Sequence, residues 1–132
     1  MSLAEIDPVE TPLVLWHIDC TDGISDETRN SFIDEYPELI EFFETMVSHS
    51  SASKIPIYTS MMTLCIGGKK DVISLLYSFQ NRKISMKYNF AGGRIPESHP
   101  QLEFEGNPRT AIPLLEKYID FFVSRHKRLT SA

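Results

Sequence analysis

Cysteine is scarce in this chain. Its 132 residues contain two, Cys20 and Cys65, with no C-x-x-C spacing and no companion histidine pattern, so neither a disulfide framework nor a structural zinc site is indicated. No charged-then-apolar leader opens the sequence, and the two facts together lead us to expect a soluble protein of a reducing, cytoplasmic compartment. Apolar runs stop far short of the about 18 residues of a membrane-spanning helix, so no membrane partner is expected. Gly67-Gly68-Lys69-Lys70 has the residue types of a phosphate-binding loop. Beyond it, Val72 to Gln80 alternates as a strand where such a loop requires a helix N-terminus, and this excludes that chemistry. No cofactor and no metal ion are expected.

Basic residues are nearly missing from the first part of the chain. Met1 to Ser53 carries twelve acids against one base, Arg29; Lys54 to Ala132 carries twelve bases against six acids, and the net of −11 and +6 gives −5 for the whole. An acidic helix and a basic sheet that attract each other inside one domain account for this asymmetry, and a charged partner is the sharper alternative.

What the sequence does contain is a long alternating stretch, Ile55 to Phe104, which predicts an antiparallel β-meander. With Val72 to Gln80 and Lys83 to Ala91 as strands around Asn81-Arg82, Ile73 pairs with Phe90, Leu75 with Tyr88, Tyr77 with Met86 and Phe79 with Ile84. The other face pairs Ser74 with Asn89, Leu76 with Lys87 and Ser78 with Ser85, so one side is dry and the other wet. A preceding strand, Ile57 to Ile66, continues the dry face by setting Leu64 opposite Ile73 and Met62 opposite Leu75 across a four-residue Gly67–Lys70 loop. Leu102 to Glu105 adds a short final strand.

Around the meander, residues 1–12 read as a flexible lead-in and 129–132 as a flexible tail, leaving 13–128 as a single domain. Leu13 to Asp19, apolar at nearly every position, predicts a covered strand. Ser25 or Asp26 suits a helix cap. Phe32 to Val47 carries a helical apolar stripe, with Pro37 at the first position of the main helix and a shorter helix over 26–35 before it. A last helix starts at Asn107-Pro108 or nearer Pro113, with Leu115, Tyr118, Ile119 and Phe122 toward the core. The fold expected is α+β, a two-layer sandwich in the order β-α-β-β-β-β-α, with a meander of four to five strands covered on one face by two helices.

Residues 95–104, Ile-Pro-Glu-Ser-His-Pro-Gln-Leu-Glu-Phe, hold two prolines four apart between the meander and a short strand. In this, the stretch Ile84 to Phe104 resembles the ubiquitin-conjugating and RWD-type fold. Ile95 stands where that family has an aromatic, Gly92-Gly93 adds a residue to the turn, and a strand precedes the first helix. A catalytic member carries a cysteine downstream of the turn, and none is present after Cys65 here, so the resemblance implies a non-catalytic relative that docks other proteins or pairs with itself.

Chemistry-bearing residues gather in two places. His17, Asp19 and Asp22 have the donors for a hard divalent cation but equally suit a turn and helix cap. Cys20 lies among acids that disfavour its thiolate. Arg94, Glu97 and His99 crowd the proline-rich loop, where a His-carboxylate pair suits acid-base work and an exposed connector accounts for the same residues. Lys69, Arg82, Lys83 and Lys87 form a basic patch, yet Tyr77, Phe79, Tyr88 and Phe90 point to the opposite face, which argues against sequence-specific nucleic acid. The leading expectation is a non-enzymatic interaction or scaffolding module with a protein partner or a homo-oligomer, contacting it through Phe42, Leu76, Arg94, Leu114 and Phe121. The alternative is a small hydrolase or a ligand- or metal-binding protein using His17, Asp19, Arg94, Glu97 and His99.

Overall fold

The computed structural model describes residues 1–16, 25–68, 71–90 and 102–126. Among them four helices, α1 (Glu10–Trp16), α2 (Asp26–Glu35), α3 (Pro37–Val47) and α4 (Pro108–Arg125), pack on one face of an antiparallel sheet. Its strands, β1 (Ile57–Ser60), β2 (Thr63–Gly67), β3 (Asp71–Ser78), β4 (Lys83–Phe90) and β5 (Glu103–Gly106), neighbour one another in chain order. The α+β two-layer architecture is as the alternation predicts. Its dry face buries Leu64, Ile66, Ile73, Leu75, Tyr77, Ile84, Met86 and Tyr88 against Phe42, Phe43, Met46, Leu115, Tyr118 and Phe122.

Local chemistry sets the helix ends. Ser25 Oγ accepts from the Thr28 N–H at 3.2 Å and caps α2, while Pro37 takes the first position of α3 after a break at Tyr36. Asn107 Oδ1 accepts from the Arg109 N–H at 2.8 Å, so α4 starts at Pro108 and runs through Pro113.

Three expectations are corrected. Leu13 to Trp16 belongs to a helix, not a strand: Asp7 Oδ1 accepts from the Val9 and Glu10 N–H groups, both at 2.8 Å, and so nucleates α1. Those bonds, with a smaller pull from Arg29, outweigh burial and lower the Asp7 pKa. Residues 1–12 are not a loose lead-in, since Leu3, Ile6 and Val9 are buried and Ser2 bridges Pro56. The stretch from Ile57 to Ile66 is two strands joined at Met61-Met62, both at positive φ (48° and 67°), an inverse turn that usually takes Asn-Gly.

Register also moves. Ile73 pairs with Tyr88, Leu75 with Met86 and Tyr77 with Ile84, two residues away from the expected pairing; Leu64 likewise faces Leu75 and Ile66 faces Ile73. Phe79 leaves the ladder because Tyr36 and Phe32 offer it edge-on ring contacts at 5.0 and 6.3 Å, which lengthens the turn to Phe79–Arg82. A slip of two keeps every β3 and β4 side chain on its face, so that part of the core is the one expected, whereas Met62, expected on the dry face, is 58% exposed in the turn.

Gly67 sits at φ +115°, and a Cβ there meets the Asp71 carbonyl oxygen at 2.6 Å and the Phe122 ring at 2.7 Å, whereas one on Gly68 meets nothing. Gly67→Ala is therefore expected to cost at least about 2 kcal/mol in urea denaturation while Gly68→Ala costs much less. Equal effects at the two positions would contradict this turn geometry.

Candidate functional site

The sheet's second face carries the residues that remain available. One cross-strand row runs Tyr58, Cys65, Ser74, Lys87, Glu103, and beside it lie Leu76, Ser85 and Glu105. Short hydroxyl side chains in the middle and long charged ones at the margin leave an open depression of about 580 Å³, with Thr63, Ser74, Leu76 and Ser85 along its floor. Leu76 is 45% exposed there. Lys87 Nζ lies 3.5 Å from Glu103 Oε1, an exposed pair that contributes little to stability. Burial pushes the Cys65 thiol above its ordinary pKa, against a weaker downward effect of Tyr58, so this cysteine is a poor nucleophile.

The other sequence-predicted residues divide sharply. His17, Asp19, Arg94, Glu97 and His99 lie outside the described residues, as does the Ile95–Pro100 turn that carries the family resemblance. Phe42 is fully buried beneath α3 and offers nothing to a partner. Leu114 and Phe121 are half-buried; Phe121 packs edge-on against Tyr88 at 5.3 Å with the Arg125 guanidinium 5.8 Å from its ring. Only Leu76 among the expected contact residues that are described stands open to solvent as an apolar side chain. No group of His, Cys, Asp and Glu suited to a metal ion occurs among the described residues. Nor is any helix among them long and apolar enough to cross a membrane.

The sequence reading missed a polar cluster. Asp71 begins β3 on the dry face and is 3% exposed; Arg125 Nε donates to its Oδ2 at 2.6 Å, His126 Nε2 lies 3.0 Å from the same oxygen, and the Tyr88 hydroxyl donates to it at 3.4 Å. The signal was present, because positions 71, 73, 75 and 77 share one parity and an aspartate on a buried face requires a cation. A second tie joins α3 to α4. His49 Nδ1 accepts from the Ser51 N–H at 3.1 Å, so Nε2 holds the proton and donates to Asp120 at 3.0 Å.

Burial alone raises the Asp71 pKa, but hydrogen bonds and charge from Arg125 and His126 outweigh it and the net shift is downward. A carboxyl whose pKa falls on folding stabilises fully above its unfolded value of about 4, and the contribution disappears as pH drops through the lower folded value. Asp71→Asn is expected to cost about 3 kcal/mol at pH 7, because it strands a partly buried guanidinium. In urea titrations that deficit should shrink toward pH 2, and a pH-independent deficit would show that the carboxylate charge is not what holds α4 to β3.

No family model, no curated protein and no solved structure matches this chain at a significant level.

Proposed function

We propose that the protein is a non-enzymatic interaction and scaffolding module that pairs with a second copy of itself through the outer face of its sheet. The observation carrying this is Leu76, an exposed leucine on the floor of an open depression over which no described element packs. An apolar centre inside a polar rim is the ordinary anatomy of a protein interface.

Charge on this face favours a like copy. β4 contributes Lys83 and Lys87, and the adjoining β5 contributes Glu103 and Glu105. Two stripes of opposite sign side by side are self-complementary: about a two-fold axis running between β4 and β5, the lysines of one copy meet the glutamates of the other. The non-catalytic relative implied by residues 84–104 is a module of the same kind.

The test is the mass of the protein by light scattering across concentration. A dimer is expected, weakened by raised ionic strength and by Leu76→Glu by at least about tenfold in Kd, while circular dichroism is unchanged. A monomer at every concentration, or a dimer indifferent to Leu76→Glu, would overturn the reading.

A further inference from the structure

We infer that the edge of β1 beyond Ile57, which no described residue pairs, together with the groove between that strand and α1, is a docking site for an extended peptide that carries apolar residues flanked by lysine or arginine. This surface lies on the helix side of the sheet and is independent of the outer face.

The edge is already partly used as a template. The Ile57 N–H donates to the Met1 carbonyl at 3.1 Å, the Leu3 N–H donates to the Ile55 carbonyl at 2.8 Å, and Ser2 bridges Pro56, so residues 1–3 begin an antiparallel ladder on β1. Two residues beyond Ile57, Thr59 lies opposite Leu64, and by the alternation of the ladder its N–H and C=O point away from β2. No described residue takes them. An added strand satisfies both groups by prolonging the ladder.

Beside this edge is a groove of about 550 Å³ lined by Val14, Leu15, Ile57, Met62 and Leu64. Val14 and Met62 are each 58% exposed, and Met61, at the hairpin tip, is 95% exposed. Alternate side chains of a bound strand point into that groove, which is where β-addition draws its specificity. Both walls are fixed before anything binds, since Trp16 Nε1 of α1 donates to the Met62 carbonyl of the β1-β2 turn at 2.7 Å. That turn holds two exposed methionines in a left-handed conformation, a strained arrangement of the sort that persists at functional sites.

Charge selects the flank of the peptide. Glu5, Asp7 and Glu10 rim the groove, and the one guanidinium among them, Arg29, lies 3.3 Å from Glu10 and 3.8 Å from Asp7. Three carboxylates outnumber the Arg29 guanidinium and the Met1 ammonium at this groove, and the rim stays negative, which favours a basic segment.

A phage-displayed library of random linear peptides, panned on the intact protein, tests this directly. Enriched sequences should combine β-branched or other apolar residues with lysine or arginine. A synthetic copy of the strongest should lose at least about tenfold in Kd against Val14→Glu, judged by fluorescence anisotropy, and a comparable amount when alternate backbone amides are N-methylated. Leu76→Glu should leave its binding unchanged, which separates this site from the self-association face. The inference fails if no sequence is enriched, if enriched peptides are acidic, or if Val14→Glu and N-methylation leave binding intact.

Discussion

A strand in a sheet has two sides, and on β3 and β4 the sequence assigns every side chain to one of them. Ile73, Leu75, Tyr77, Ile84, Met86 and Tyr88 all leave water on the same side, each at about 1.5–3 kcal/mol for full burial of its apolar surface, and α3 and α4 can be held only where that surface lies. The sheet's dry face therefore decides where the helices go. It also decides what is left over: the opposite face has no described helix on it because its small hydroxyl residues and charged margins offer a helix little to bury.

Packing around that face explains which features could be read in advance. Parity is a property of the strand alone, so the inward set of β3 and β4 was legible from the alternation, as were Pro37 at the start of α3 and Asn107 at the start of α4, whose effects are local. Register is not local. It was set by Phe79 turning toward Tyr36 and Phe32, and by a hairpin at Met61-Met62 whose residues give no turn signal. The run Leu-Val-Leu-Trp at 13–16 is apolar at each position and has no period of its own, so the Asp7 cap upstream, not the run, determines that it is helical. Of the interaction residues expected from sequence that the structure describes, Leu76 was correctly placed on the wet face, because parity decides that. Phe42, expected at a contact surface, is instead fully buried on α3, since a helical apolar pattern does not say which of its residues a neighbouring element will cover.

Part of the uneven charge of the chain is resolved inside the fold. Arg82, from the basic part, donates to the Glu35 carbonyl and carboxylate at 3.0 Å and lies over the Tyr36 ring; Arg109 donates to Glu41 at 2.8 Å and approaches Glu38. These contacts clamp the β3-β4 turn to the end of α2, and the start of α4 to α3. Exposed pairs of this kind add little stability each, yet they fix which element lies beside which. The asymmetry thus serves in part to set elements of a single domain side by side.

The two surfaces to which partners are proposed differ in charge. On the outer sheet face Lys83 and Lys87 of β4 lie beside Glu103 and Glu105 of β5, so among the described residues these two stripes balance, as the proposed self-pairing requires. Along the β1 edge the acids outnumber Arg29, so two copies of that edge would repel each other. Repulsion between like edges guards a strand edge against edge-to-edge pairing, and the same acids suit the basic peptide proposed above. The self-pairing and the peptide docking proposed above therefore rest on different electrostatics, the first on neighbouring stripes of opposite sign and the second on an acidic edge.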